Sequence, residues 1–243
     1  MLKTFYLVSL LGITIVMAGD ADVLYTKALE LFEKRHLDKE NVLKAKELAG
    51  QITEKEPDNV NALILISRVY LFSGENSAKE DDKRAAYEKG TEYAKKALGL
   101  DIKNANAHFY YGAGLGRCAQ LKGIFNAIGS AGEIKKEFEK ALELDPKHPI
   151  AKVALANYYY QVPGLFGGST EKAIELLKEV LGIYPELTMA SVDLARIYKN
   201  QGKKKEALAL LERVVENKNP EIAANYYLYD KKEAMEMLKE LGK

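Results

Sequence analysis

The sequence predicts an all-α solenoid built from antiparallel helix pairs, and three observations predict it. First, proline with an acidic neighbour recurs where helices should stop, at Glu56-Pro57-Asp58, Leu144-Asp145-Pro146 and Tyr184-Pro185-Glu186. Second, amphipathic stretches flank these stops, such as Glu133 to Glu143 and Glu171 to Leu181 before them, and Ile150 to Tyr160 and Leu187 to Lys199 after them. Third, small residues sit inside those stretches where two helices must approach closely. One helix pair cannot bury its apolar face alone, so self-similar pairs stack into an array.

The chain opens on a different kind of segment. Lys3 supplies a positive start, Phe5 to Val16 form a mostly apolar run, and Val16-Met17-Ala18 offers small-residue cleavage chemistry before Gly19-Asp20. That run is too short to span a bilayer comfortably, so residues 1–18 read as a cleaved secretory signal, with no membrane span left after cleavage. The expected location is the periplasm, or outside the cell where there is no outer membrane. No cysteine follows the run, which removes the attachment point of a bacterial lipoprotein.

With 47% hydrophobic and 29% charged residues, the remainder has the apolar material for one sizeable core. Lys3 is the sole charge in residues 1–18, so the mature chain carries 35 basic and 35 acidic side chains. Zero net charge gives no long-range attraction to polyphosphate, which disfavours a nucleic-acid partner. A single cysteine, Cys118, excludes an internal disulfide.

Residues 19–243 are expected to form one domain. The unit at 188–219 carries Leu194-Ala195, Tyr198, Gly202, Ala207, Leu211 and Val214, with Pro220 just beyond. The unit at 149–185 carries Leu155-Ala156, Tyr159, Ala173, Leu177, Val180 and Pro185. At 105–146 stand Tyr111-Gly112, Leu115, Phe138, Ala141 and Pro146; at 59–102 stand Ser67, Tyr70, Gly90, Ala94 and Ala97, with Ile102 where proline is expected. The first unit, 20–57, shows Ala45 and Ala49, and residues 221–241 read as a capping pair, Glu221 to Tyr229 and Lys231 to Leu241. In these small, bulky and turn positions the chain resembles the tetratricopeptide repeat (TPR) family. The resemblance implies a right-handed superhelix and, as its usual role, protein–protein interaction.

The spacing adds a local expectation. The repeats end at 57, 102, 146, 185 and 219, intervals of 45, 44, 39 and 34, and the extra residues all fall inside the repeats. They belong to the turn between paired helices, or extend those helices, and so crowd one rim of the array. Two stretches there lack charge: Gly123-Ile124-Phe125-Asn126-Ala127-Ile128-Gly129-Ser130-Ala131-Gly132 and Val162-Pro163-Gly164-Leu165-Phe166-Gly167-Gly168. Read as loops, they either fold back over their own helices or expose Phe125, Ile128, Leu165 and Phe166 as an apolar lip.

No catalytic centre is expected. His36, His108 and His148 lie in different units without a second ligand at helical spacing, so no metal is expected. Gly114-Leu115-Gly116-Arg117-Cys118-Ala119 formally fits a dinucleotide-binding pattern, yet it sits inside a helix with no preceding strand, where close helix packing explains it better. No phosphate loop or nucleophile elbow is present, and no cofactor is expected.

The TPR resemblance places certain first-helix positions on a concave groove. They are Asn61, Ile64, Arg68 and Leu71; Asn106, Phe109, Ala113, Gly116 and Arg117; Ile150, Val153, Asn157 and Tyr160; and Met189, Val192, Arg196 and Lys199. That lining is apolar, with amides and with cations as its only charges. It suits a peptide carboxylate or an amphipathic organic acid held by Arg117 and Arg196. Tyr158-Tyr159-Tyr160 and Val162 to Gly168 also resemble the T component of tripartite ATP-independent periplasmic (TRAP) transporters, which implies a periplasmic solute-binding protein as partner and an apolar ligand. The same loop is similar to those of other exported repeat proteins of unknown role and of regulator-of-microtubule-dynamics proteins.

Overall fold

A computed structural model describes residues 20–243, without the side chains of Ile124, Phe125 and Ala127; the proposed signal, 1–18, lies outside the described residues. Ten helices pair in order: α1 (Asp20–Glu33) with α2 (Glu40–Lys55), α3 (Val60–Glu75) with α4 (Glu80–Leu100), and α5 (Ala105–Leu121) with α6 (Ile124–Leu144). Then α7 (Pro149–Gln161) pairs with α8 (Thr170–Ile183), and α9 (Thr188–Asn200) with α10 (Lys204–Glu216). Among the described residues there is no strand, and no helix is long and apolar enough to cross a membrane.

The breaks between units repeat one local chemistry. The backbone N–H of Asn59, Asn104, His148 and Leu187 donates to the carbonyl three residues earlier, on Glu56, Asp101, Asp145 and Tyr184. Asn59 and Asn104 then cap α3 and α5 by accepting from Ala62 N and Ala107 N at 3.1 Å. His148 does the same for α7 through Nδ1, the helix-start role its place before Pro149 predicts. Each cap satisfies an N–H that the first helical turn leaves unpaired. Burial pushes the His148 imidazole below its ordinary pKa, so Nδ1 accepts while Nε2 faces Asn106 Oδ1 at 3.2 Å.

Between paired helices the core is tight because the crossing residues are small. Ala45, Ala49, Ala94, Ala97, Ala141, Ala173 and Ala207 are fully buried, and larger anchors such as Leu177, Ile197 and Leu211 fill the layers between units. Between successive units, Gly114 of α5 is a further point of close contact: a Cβ there would strike the Thr91 side chain of α4. Gly114 of the dinucleotide-like pattern therefore serves close helix packing.

Two expectations change. The neutral stretch from Gly123 is no loop: Gly123, at φ +91°, ends the turn, and Ile124 begins a 21-residue helix. The long second and third repeats are thus long because α4 and α6 each reach 21 residues against 14 and 13 for α8 and α10. In the fourth repeat the extra residues do form a turn, a 3-10 segment at Gly164–Phe166.

The C-terminal cap is likewise not a helix pair. Residues 223–240 run as one helix, α-helical at Ala223–Asn225 and Lys231–Glu240, with a π turn at Tyr226–Asp230. Neither proline nor glycine interrupts it, so nothing forces a break at Asp230. Tyr226, fully buried, anchors it by donating from its hydroxyl to Asn217 O at 3.0 Å. This helix packs on α9 and α10, and its first turns reach α1 and α3, at the opposite end of the chain.

Candidate functional site

The inner face is built by the first helix of each unit, and it is closed across the array by the C-terminal helix. Arg35 Nη2 donates to Asn225 Oδ1 at 2.5 Å, and Asn76 Nδ2 donates to the Tyr229 hydroxyl at 2.6 Å. The His36 ring stacks on Tyr227 at 5.2 Å, and Phe72 meets Tyr229 edge-on at 6.5 Å. These contacts join segments about 150 to 190 residues apart.

At their centre lies an aromatic–guanidinium cluster. Arg35 sits over Phe32 at 4.5 Å and over Phe72 at 5.0 Å; Arg68 sits over Phe32 at 5.0 Å and Tyr110 at 5.7 Å. Such stacking contributes about 0.5–2 kcal/mol per contact, more when desolvated. Arg68 donates to Glu33 Oε1 at 2.6 Å, while Glu33 stands 3.9 Å from Arg35. Two guanidinium groups thus share one carboxylate. Burial pulls the Arg35 guanidinium below its ordinary pKa, and burial raises that of the Tyr110 hydroxyl.

The groove residues expected from the repeat pattern divide into two groups. Ile64, Leu71, Phe109, Val153 and Val192 are buried in the layers between helices, so they are core and not lining. Asn61 is exposed. Asn106 is tied to His148, and the Tyr160 hydroxyl accepts from Asn200 Nδ2 at 2.6 Å.

The groove cations are not free. Arg117 donates to Glu75 Oε1 at 2.5 Å and Lys199 to Glu240 Oε2 at 2.5 Å. Arg196 is bound to both Asp193 and Glu233, and Asn157 Nδ2 donates to Asp193 Oδ2 at 2.8 Å. The expectation of a lining whose only charges are cations is therefore corrected: Glu33, Glu75, Asp193, Glu233 and Glu240 neutralise it. Most of these acids belong to a neighbouring unit or the C-terminal helix, which a unit-by-unit reading does not bring beside the cation.

A separate acidic group lies where the C-terminal helix meets α9. Asp230 accepts from the Thr188 hydroxyl at 2.7 Å and is almost fully buried. Burial pushes its carboxyl up to about 6, against the Thr188 hydrogen bond, and burial also raises Asp193. Among the described residues, no group of three histidine, cysteine or acidic side chains is placed to hold a metal. His108 is used structurally, its Nδ1 lying 2.6 Å from buried Glu137 and its Nε2 2.9 Å from Ile102 O.

At the rim, the ends of α5 and α7 lie side by side, with Gln120 Nε2 3.5 Å from Gln161 Oε1. The Gly164–Phe166 turn is held by Ser169 N donating to Tyr159 O at 2.8 Å, and a Cβ on Gly168 would collide with Val162 O. Leu165 is 90% exposed and Phe166 47% exposed, so this stretch does not fold back over its helices. Ile128 is half-buried on α6, and the Phe125 side chain is not described. Because its side chain is almost wholly exposed, Leu165→Asp is expected to leave the melting temperature nearly unchanged, a change in stability within about 0.5 kcal/mol by thermal denaturation.

Sequence reasoning missed Phe32, Arg35, Phe72, Tyr110, Asn225 and Tyr229. The tyrosine cluster at 226–229 was the one visible signal, since consecutive helical tyrosines cannot all be core.

The profile of the family described as regulator of microtubule dynamics protein 1-3 matches residues 24–166, and a tetratricopeptide repeat profile matches residues 167–226. Regulator of microtubule dynamics protein 3 of Bos taurus is 26% identical over 170 residues, covering 63% of this chain and 36% of that protein. Regulator of microtubule dynamics protein 1 of Bos taurus is 36% identical over 97 residues, covering 38% of this chain and 30% of that protein. The chain thus spans about a third of the length of these curated relatives. A thermophilic TPR protein of Thermus thermophilus has a similar structure, with TM-score 0.66 at 14% identity over 91% of this chain and 98% of that one. That likeness shows the fold.

Proposed function

The chain belongs to the regulator of microtubule dynamics protein 1-3 family, and from that premise we propose that it is a non-enzymatic TPR scaffold holding a protein partner on its inner face. The observation that carries this reading is the Phe32–Arg35–Arg68–Phe72–Tyr110 cluster. Arginine and tyrosine, here packed in a part-desolvated cluster, are the residue types that dominate protein interfaces. The exposed Leu165–Phe166 turn adds an apolar contact at the rim.

The finer readings are proposals with separate tests. Residues 1–18 support export, and N-terminal sequencing of the mature chain should then begin at Gly19. The relatives are named for regulating microtubule dynamics, and the corresponding partner would be a microtubule-associated protein. Export and such a partner exclude each other, so cell fractionation decides between them. The transporter-accessory reading rests on Tyr158–Tyr160 and the following turn, most of which falls inside the stretch matched by the family profile. We therefore favour the scaffold.

Photocrosslinking tests the scaffold reading directly. A photoreactive residue at Tyr110 should crosslink one defined protein, while the same residue at exposed Ile102 should not. Tyr110→Ala should weaken that partner's binding by about tenfold or more, the scale of an interface tyrosine. Equal crosslinking from both positions would sink the reading.

A further inference from the structure

Arg35 is buried, at 8% exposure, yet its guanidinium is incompletely used. Nη1 donates to Phe32 O at 3.0 Å and Nη2 to Asn225 Oδ1 at 2.5 Å. Among the described residues, Nε has no hydrogen-bond partner. Nε and Nη2 lie on one edge of the planar guanidinium, and Nη2 reaches the C-terminal helix through Asn225. The Asn225 oxygen takes one of these two donors. A carboxylate in the same place would take both, in the paired geometry that makes arginine–carboxylate contacts strong.

The surroundings point the same way. The nearest carboxylate, Glu33, is 3.9 Å from Arg35 and is engaged by Arg68 at 2.6 Å. The cluster therefore holds two cations and one anion, with a neutral amide against the buried cation. A buried charge without a close counter-charge is costly. Four residues after Asn225, Tyr229 meets Asn76 and Phe72, so the occupant is a helical segment with two anchors on one face.

We propose that Arg35 is the carboxylate-accepting residue of a helix-docking site, where residues 223–230 of the chain set the neutral amide of Asn225 against the guanidinium. The partner is an acidic helix with Asp or Glu in the place of Asn225 and an aromatic hydroxyl four residues later. This rests on the inner-face scaffold reading above and names the chemistry of its partner.

The test uses the full chain and a labelled synthetic helix with the sequence of residues 223–240 carrying Asn225→Asp. N225D in the chain should raise its melting temperature by about 2–4 °C, and should fail to do so beside R35M. N225A, which uncaps Arg35, should bind the probe about tenfold tighter than the unaltered chain, while N225D and R35M should bind it at least tenfold more weakly. R35M also removes the stacking on Phe32 and Phe72; if it does not fold, N225A and N225D carry the comparison, since both keep Arg35. A lower melting temperature for N225D would overturn the assignment. Equal probe binding by every variant would overturn it too, while leaving inner-face binding intact. No binding by any variant would also overturn it, and the Tyr110 crosslink would then judge the scaffold reading by itself.

Discussion

Arg196→Ala should lower the stability of the folded chain by about 2–3 kcal/mol at pH 7.5 and by much less near pH 4. Arg196 binds Asp193 and Glu233, with buried Asp230 close enough to feel its charge. Removing it leaves three carboxylates facing one another where α9 meets the C-terminal helix. Loss of one partner of a fully buried pair costs about 3–5 kcal/mol, and the value here is set lower because the Arg196 side chain is 33% and that of Glu233 41% exposed. Acid relieves the defect by protonating Asp230 and Asp193, whose carboxyls burial pushes up. Denaturant melts at the two pH values measure it. An unchanged midpoint at pH 7.5 would show that Arg196 is free to serve a ligand, the role first expected of it.

Asp230→Asn should have the opposite sign, raising stability by about 1–3 kcal/mol at pH 7.5, since each pKa unit is about 1.4 kcal/mol. The Asp230 carboxyl titrates at about 6 in the folded chain against an ordinary value of 3.8. Folded protein therefore binds this proton more tightly than unfolded protein. The natural chain loses stability as pH rises from about 4 to about 6, and the penalty persists above that. Asparagine cannot ionise, keeps an oxygen to accept from Thr188, and removes the slope. The stability advantage of D230N should therefore vanish below about pH 4. A variant less stable than the natural chain at pH 7.5 would mean that Asp230 forms a favourable ion pair.

The helix pairs were legible because their determinants are local. The breaks at Glu56–Asn59 and Asp145–His148 state their cap and turn chemistry within a few residues. The uncharged run after Gly123 misled because glycine and neutrality suggest a loop. Yet Gly129 and Gly132 sit in helix α6 with nothing within 4 Å of a hypothetical Cβ, so they cost helix propensity alone. The inner-face site was the least legible part. Arg68 was expected there, but its partner Glu33 stands 35 residues earlier, and the Asn225 that caps Arg35 stands 190 residues later. Spacing within one repeat carries no trace of such pairings.

The central claim is that the two ends of the solenoid meet through the C-terminal helix and so form one inner site. Spin labels at Leu37 and Met235, both exposed, test it most directly. Leu37 follows His36, which stacks on Tyr227, and Met235 lies eight residues farther along the same helix, about 12 Å. Pulsed electron resonance on the full chain should give one narrow distance distribution below about 30 Å, allowing for the label arms beyond that rise. A broad distribution extending well past that distance would mean that the ends do not meet, and would contradict the account.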